Sequence, residues 1–248
     1  MPDFPLPPPA FSGRSQRVAP GAPFDWLRQG WTTFAVAPGP WLGLALLFLL
    51  LELLPLLVFG FAWGLPLSLA VFPLLAAGLL AGCRRASETG RPAFADLGAG
   101  LRAGRQGLLQ LGGLHLALQL PLHLLVFFLL RRGPGPGLGE ADPLTPLLGW
   151  SVALGLAYSL LPLISLVLTS LFSLALPLVL FHRMAPLQAL AAAGVAGLKN
   201  WLPCLVLGLL LSIMAFLATL FLGLGFLVLI PVWAGAMYAA YRDIFVST

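Results

Sequence analysis

Residues 42–62 read LGLALLFLLLELLPLLVFGFA, and this stretch decides the class of fold. Glu52 is its only charged side chain, and the run matches the roughly 17–25 apolar residues that carry a helix across a bilayer. Trp41 and Trp63 flank it, as expected where aromatic side chains meet the headgroups at both membrane surfaces. The stretch therefore predicts a transmembrane helix.

The composition extends this prediction to the whole chain. Of 248 residues, 60% are hydrophobic and only 8% are charged, whereas soluble domains carry about 25% charged residues. The apolar residues occur in blocks long enough to span a bilayer, which predicts a polytopic membrane protein whose immediate partner is lipid. The net charge of +5 needs no nucleic acid to explain it, because basic loops orient membrane proteins.

We expect an all-α transmembrane helix bundle, since an open strand edge has no hydrogen-bond partner in lipid. Six spans are predicted, at about 42–62, 65–83, 108–130, within 147–182, 202–221 and 224–241. The fourth block would make a helix of about 54 Å at 1.5 Å per residue, against a hydrocarbon core of about 30 Å. Pro162 offers a place to divide it, so by length the block contains either one span or two.

The basic residues favour one span in that block. With six spans, all of the 13 Lys and Arg residues except Arg131 and Arg132 fall on one side, and a seventh span would move Arg183, Lys199 and Arg242 across. The positive-inside rule then places both termini in the cytoplasm. Residues 1–23 are rich in proline and predict a disordered cytoplasmic tail, whereas residues 24–245 form a single transmembrane domain.

The chain also repeats itself. PLLAAGLLAGCR (73–84) and PVWAGAMYAAYR (231–242) each begin with proline, reach arginine eleven residues later and match in their small residues. An amphipathic stretch precedes each copy, at 24–34 and 186–199, and 94–106 is a weaker third example. We therefore expect three units in parallel orientation, each an interfacial helix followed by a hairpin of spans.

Small residues in the repeat predict where helices pack. Gly78 and Gly82 in the second span, with Gly235 and Ala239 in the sixth, have the spacing that lets helices approach closely in lipid. We expect these two spans to form the central contact. Other residues predict anchors at the membrane surface, where aromatic rings and long cations reach the headgroups: Trp41, Lys199, Trp201 and Arg242.

Three further stretches carry a resemblance. They are YAAYRDIF (238–245), LKNWLP (198–203) and WLRQGWTTF (26–34). Together they resemble a family of multi-span inner-membrane proteins of proteobacteria, most specifically in the terminal Tyr-Arg-Asp-Ile-Phe, and the likeness extends over nearly the whole chain. The resemblance implies an integral protein of the bacterial inner membrane. It implies no activity and no catalytic residues, because the family has none established.

Polar residues at membrane depth are the usual place to look for function, because placing them there is costly. Glu52 lies near the middle of the first span, and His115, Gln119 and His123 follow one face of the third at four-residue intervals. Three readings fit: a packing seam between helices, a relay or transport site that includes Glu52, or a metal or haem site. We favour the seam, since interhelical hydrogen bonds commonly use such residues, and place metal last because no further His or Cys matches that depth.

No motif in the chain indicates an enzyme. The metalloprotease, nucleophile-elbow and phosphate-loop signatures are missing, and Glu52 is the only acid within a span. We therefore expect a non-enzymatic membrane protein without cofactor or metal, which binds or helps to assemble other membrane proteins or its own copies. The alternative is a transporter of a small solute, a lipid or protons that uses Glu52 and the polar face of the third span.

Overall fold

The computed structural model describes residues 14–102, 105–132 and 144–246, and every element within these ranges is helical. A short 3₁₀ helix, Phe94–Gly98, follows the second α-helix. The α-helices are α1 (Ala22–Val36), α2 (Pro38–Thr89), α3 (Ala99–Arg102), α4 (Arg105–Arg132), α5 (Leu144–His182), α6 (Pro186–Lys199), α7 (Trp201–Leu220) and α8 (Phe226–Phe245). The expected all-α class is confirmed.

Five helical segments of the described chain are long and apolar enough to cross a membrane. They are Pro38–Gly60, Trp63–Thr89, Arg105–Leu125, Leu163–His182 and Trp201–Leu220. These segments indicate a multi-pass membrane protein and coincide with the first five predicted spans. The predicted sixth span coincides with α8, which is less apolar than these five, and most of its 20 residues are buried among the other helices.

Gly60 divides α2 into two arms, Pro38–Gly60 and Trp63–Thr89. Its φ of +68° is open to glycine at little cost, and the chain reverses there. The arms then pack closely, because a Cβ on Gly64 would lie 2.4 Å from the carbonyl oxygen of Pro55. The Ser68 hydroxyl, 2.7 Å from the backbone carbonyl of Glu52, donates a hydrogen bond across the same hairpin.

The long apolar block at 147–182 lies within one helix. α5 has 39 residues and continues past position 162, so the block does not fold back on itself. A helix of that size is about 58 Å long, nearly twice the hydrocarbon core. Among the described segments, only its second half, Leu163–His182, counts as a candidate span.

α1 and α8 cross with their backbones in contact. A Cβ on Gly30 would lie 2.3 Å from the carbonyl oxygen of Val232 and 2.9 Å from the amide nitrogen of Ala236. A Cβ on Gly235 would lie 2.7 Å from the Cα of Gly30. Trp26, buried four residues before Gly30, extends this face of α1 along α8. Any side chain larger than hydrogen at the crossing would push the helices apart.

Two other helices pack in a similar way against the amphipathic segment that follows them. On the second arm of α2, a Cβ on Gly78 would lie 2.4 Å from the Cα of Leu97 in the 3₁₀ helix. A Cβ on Gly100 of α3 would be equally close to the carbonyl oxygen of Leu74. α5 packs on α6, whose buried face consists of three alanines, Ala189, Ala193 and Ala196.

The glycines of the repeat therefore have partners other than those the sequence predicts. The second arm of α2 does contact α8, but through larger side chains such as Phe72 against Trp233. Gly78 lies against the 3₁₀ helix and Gly235 against α1. Spacing shows that a helix has a smooth face without showing which neighbour occupies it.

Gly82 has a different role in the same face. It leaves room for the indole of Trp41, whose ring carbon would lie 3.5 Å from a Cβ at that position. Trp41 is consequently 0% exposed and belongs to the core, so it is not the lipid-facing anchor that its position at the start of a span predicts. Ala239, the fourth predicted packing residue, is buried in α8.

The carboxyl ends of three long helices meet at one end of the bundle, which we call the basic end. Tyr241 of α8 and His182 of α5 are hydrogen-bonded, Oη to Nε2, at 2.6 Å. The guanidinium carbon of Arg84, near the end of α2, lies 5.5 Å from the ring centre of Phe181. Arg183, Lys199 and Arg242 belong to the same end. Cations suit these helix ends, where the backbone dipole is negative.

Residues 14–21 run as an extended strap across the basic end. The Gln16 amide donates to the carbonyl of Ile244 at 2.9 Å, and its side-chain nitrogen donates to the carbonyl of Asp243 at 2.6 Å. Lys199 donates to the carbonyl of Ser15 at 3.1 Å. This part of the predicted tail is therefore ordered, because Lys199 of α6 and the end of α8 supply hydrogen-bond partners that composition does not reveal. Residues 1–13 lie outside the described range.

The α1–α8 crossing gives a prediction for stability. Gly30→Ala forces a methyl group against the backbone of α8 and should lower the free energy of unfolding by about 1–3 kcal/mol, as overpacking does. Gly39→Ala is the matched control, because a Cβ there meets nothing within 4 Å, and it should be neutral or slightly stabilising. Unfolding of the detergent-solubilised protein measures both, and equal stabilities would contradict the crossing.

Candidate functional site

Gln119 joins α4 to α5 through all of its polar atoms. Its Nε2 donates to the Thr169 hydroxyl at 2.9 Å and to the Ser165 carbonyl at 3.2 Å. Its Oε1 accepts from the Ser165 hydroxyl at 2.9 Å. The side chain is 1% exposed, and both N–H donors and one lone pair of the carbonyl oxygen are engaged within the bundle. Hydrogen bonds of this kind hold helices together inside a membrane.

The two histidines on the same helix use other partners. His115 Nδ1 is hydrogen-bonded to the carbonyl of Leu69 on the second arm of α2, at 3.1 Å. Its ring is buried between Phe72 and Phe172, with centroids at 5.8 and 4.9 Å. His123 Nδ1 is bonded to the carbonyl of Gln119 on its own helix, at 2.8 Å. The three residues therefore contact three different elements and do not converge on a shared ligand position.

Glu52 lies apart from these residues. Among the described residues, no hydrogen bond joins its carboxyl group to His115, Gln119 or His123, and its Oε1 is buried without a hydrogen-bond partner. The second arm of α2 lies between them, since Ser68 bonds the Glu52 carbonyl and the next residue, Leu69, bonds His115. The structure does not bring the four predicted residues together into one site.

A cavity of about 300 Å³ lies elsewhere in the bundle, between α5, α7 and α8. Trp26 of α1 and Phe48 and Phe72 from the two arms of α2 complete its wall. None of Glu52, His115, Gln119 and His123 lines it. The volume is at the lower end of the range of about 300–1,000 Å³ that is typical of small-molecule sites. This cavity is the candidate site that sequence reasoning did not find.

Four polar side chains in the cavity wall are already engaged in hydrogen bonds. The Ser173 hydroxyl donates to the carbonyl of Thr169 at 2.7 Å, and the Ser212 hydroxyl donates to the carbonyl of Gly208 at 2.8 Å. The Thr169 hydroxyl accepts from Gln119, and the indole nitrogen of Trp26 donates to Asp243 at 3.0 Å. The remaining wall is almost entirely aliphatic and aromatic. The cavity therefore presents an apolar surface to any occupant.

α7 covers the cavity loosely. Of its 20 residues, the buried ones are Pro203, Leu207, Gly208 and Ala218. Ser212 lines the cavity and is also exposed at the outer surface, so the cavity is open to the outside beside α7. The outer surface of a membrane-spanning helix faces lipid, and the opening therefore faces the bilayer.

Asn200 is a buried polar residue that the sequence analysis passed over. Its side chain accepts from the Val18 amide at 2.9 Å and donates to the carbonyls of Gln16 at 2.9 Å and Ala196 at 3.1 Å. It connects the strap to the junction of α6 and α7. The available signal was an asparagine between two predicted helices, because an amide that becomes buried there needs hydrogen-bond partners.

Two acids, the buried Asp96 and the exposed Asp243, have structural partners as well. Asp96 of the 3₁₀ helix accepts from Arg85 Nε at 2.9 Å and from the Ala93 amide at 2.8 Å, which ties that helix to α2. Asp243 accepts from Trp26. Of the other predicted anchors, Trp201 and Arg242 are exposed and Lys199 contacts the strap. Within the described ranges, no group of three His, Cys, Asp or Glu side chains could hold a metal ion.

Comparisons with protein-family models, curated proteins and solved structures find no match for this chain. Its function is therefore inferred from its own geometry.

The seam between α4 and α5 gives a second prediction. Gln119→Leu and Ser165→Ala each remove one side of a buried pair, so the double variant should lose less stability than the two single losses combined. The coupling free energy should be about 0.6–2 kcal/mol, as for other hydrogen bonds inside membranes. The same cycle on Gln119 and Glu52, which are not bonded, should give no coupling. Coupling in the second cycle alone would contradict the geometry.

The strap gives a third prediction. Asn200→Ala removes three hydrogen bonds at the junction of α6 and α7, and residues 14–21 should then detach from the basic end. Trypsin should cleave after Arg17 several-fold faster, because proteolysis follows the population of the opened segment. Thr32→Ala is the control, since its exposed hydroxyl bonds only its own helix. Unchanged cleavage in Asn200→Ala would contradict a stabilising role for this residue.

Proposed function

We propose that this chain is a non-enzymatic integral protein of the bacterial inner membrane, which acts as a scaffold for other membrane proteins or for copies of itself. The proposal rests on the hydrogen-bond partners of the polar side chains at membrane depth. Gln119 is hydrogen-bonded to α5 and Nδ1 of His115 is hydrogen-bonded to α2, as structural residues are, whereas Nε2 of His115 is buried without a hydrogen-bond partner. Within the part of the chain that the structure describes, Glu52 and these side chains form no continuous hydrogen-bonded pathway for a solute.

Six spans follow if α8 crosses the membrane. It contains 20 residues and would extend about 30 Å, which equals the hydrocarbon core. It begins after a tight turn at the end of α7 and ends beside the strap at the basic end. α8 is less apolar than the other spans because α1, α2 and α5 shield it from lipid. Burial among helices removes the need for a lipid-compatible surface.

The packing supports three units that close into a ring. In each proposed unit the second span packs against the next amphipathic segment: α2 on the 3₁₀ helix and α3, α5 on α6, and α8 back on α1. The resemblance of YAAYRDIF (238–245) and its companion stretches supports membership of the proteobacterial inner-membrane family. The basic end would face the cytoplasm, together with both termini.

Two helices expose apolar faces that fit partner binding. The candidate spans Pro38–Gly60 and Trp201–Leu220 are each only 22% buried. Leu50 and Leu53 on one, and Leu209 and Ile213 on the other, are exposed. Such faces suit contact with lipid and with the helices of another membrane protein.

A complementation experiment tests the proposed function. Glu52→Gln, which removes the acid in the middle of the first candidate span, should restore the phenotype of a deletion strain as well as the wild type does. Vesicles reconstituted with the full chain should show no proton or solute flux. Gly30→Leu should not restore the phenotype, because the protein should not fold, and it is the positive control for loss of function. Loss of function in Glu52→Gln at normal abundance would favour transport instead.

Site-specific photocrosslinking tests the scaffold role directly. A photoreactive residue at Leu50 or Leu209 should give a discrete adduct of constant size in intact membranes, whereas one at the buried Leu79 should give none. Substitution of the same face should remove both the adduct and complementation. An adduct without any functional effect would contradict the scaffold role. Reporter fusions at the carboxyl terminus should be active in the cytoplasm, and periplasmic activity would contradict the orientation.

A further inference from the structure

We propose that the cavity between α5, α7 and α8 is a binding site for one acyl chain of a membrane phospholipid. This binding would be a function separate from the proposed scaffold role. Of the residues that join α4 to α5 by hydrogen bonds (Gln119, Ser165 and Thr169), only Thr169 lines the cavity. Four properties of the cavity lead to this occupant: its shape, its lining, its opening and its depth.

The cavity is elongated along the helices. Its lining on α7 begins at Cys204 and ends at Ala215, a distance of about 16 Å at 1.5 Å per residue. On α8 the lining extends from Phe226 to Ile244, near the basic end. A long cavity with a volume of about 300 Å³ is narrow. That shape fits a single hydrocarbon chain better than a compact polar solute.

The lining favours hydrocarbon. The hydroxyls of Ser173 and Ser212 donate to carbonyls of their own helices, and the indole nitrogen of Trp26 donates to Asp243. The buried side-chain atoms of the described chain that have no hydrogen-bond partner belong to Trp41, Glu52 and His115, none of which lines the cavity. The other polar side chains in the wall are those of Ser170, Cys204 and Trp233, so a polar ligand would lose its hydration and gain few hydrogen bonds in return. An acyl chain has no hydration to lose, because it enters the cavity from hydrocarbon.

The opening and the depth identify the source of the chain. Ser212 is both exposed and part of the lining, and Thr169 and Ser170 on the facing helix are half-buried. The gap therefore lies between α5 and α7, two candidate spans. A gap between two spans opens into the hydrocarbon core, where the acyl chains of phospholipids are the abundant species. Trp26 and Ile244 close the end of the cavity near the basic end.

The occupant also explains the loose packing of α7. In a bundle without lipid, the weak contact of α7 with α5 leaves the gap unfilled, and apolar side chains such as Leu166 and Leu211 lack neighbours on one side. A hydrocarbon chain in the gap supplies the missing van der Waals contacts. The bound chain then acts as part of the core between α5 and α7.

A photoreactive phospholipid tests the proposal. The full chain is reconstituted in nanodiscs of phosphatidylethanolamine and phosphatidylglycerol, with a small fraction of phosphatidylcholine that carries a diazirine in its palmitoyl chain. After irradiation, adducts should concentrate on 166–174 and 204–215. Native mass spectrometry should show one phospholipid retained by each chain. Adducts spread evenly over the exposed faces of α2, α4 and α7 would overturn the proposal.

Matched leucine substitutions separate the cavity from the general lipid surface. Gly208 lines the cavity, and a Cβ there would lie 3.5 Å from the Leu166 side chain, so Gly208→Leu should fill the space. Adduct yield within the two segments should fall about tenfold, which corresponds to 1.4 kcal/mol. Gly113→Leu adds the same side chain at an exposed position with nothing within 4 Å, and should leave the yield unchanged.

A second variant covers the case in which Gly208→Leu does not fold. Ser212→Phe places a ring at the rim of the cavity, and its hydroxyl is bonded only to Gly208 of the same helix. It should lower the adduct yield while size-exclusion chromatography shows an unchanged folded protein. Full labelling in a folded variant would overturn the proposal. So would crosslinks from this gap to a second copy of the chain, because a protein segment would then occupy the cavity.

Discussion

Inside a bilayer, helices gain nothing from the hydrophobic effect when they associate. Their association is instead stabilised by van der Waals contact, which requires that the backbones approach closely. This constraint explains the arrangement around α8. At Gly30 and Gly235 the helices α1 and α8 touch without side chains between them, and Gly112 allows α4 the same approach to Ala70 of α2. The larger side chains then interlock on both sides of these contacts. The position of α8 at the centre depends on the α1 crossing, which a single methyl group would obstruct.

Lipid also constrains the polar residues at membrane depth. A buried amide or imidazole in hydrocarbon needs a partner, and the nearest helix supplies one more cheaply than a ligand does. Gln119 therefore bonds α5 and His115 bonds α2, although both lie on one helix. A row of polar residues at helical spacing indicates a line of contacts. It does not indicate a site unless the contacts meet, and here they do not.

α7 is the exception to close packing, and the cavity exists because α7 packs loosely against α5. Few of its residues are buried, and the space between it and α5 is apolar and open at the side. A soluble protein would collapse around such a space or fill it with water. A membrane protein has hydrocarbon chains available to fill it. The proposed acyl-chain site and the exposed faces proposed for partners are thus separate uses of one loosely covered side of the bundle.

Much of this architecture could be predicted from the sequence, because lipid restricts what an apolar block can become. The length and hydrophobicity of residues 42–62, and of the blocks like it, are sufficient to predict helices, and the chain is helical there. The spacing of Gly78 and Gly235 likewise predicts smooth helix faces. Local composition decides these features, since each helix satisfies its own backbone.

Only the tertiary structure decided which faces meet. Trp41 was predicted to lie at the lipid surface and is in the core, the strap at 14–21 is ordered by Asn200, and Gly235 faces α1. The cavity depends on five elements that are distant in sequence, so no single stretch contains a signal for it. The physical reason is that the sequence determines the surface of each helix, whereas the contacts between surfaces depend on the relative energies of many possible pairings.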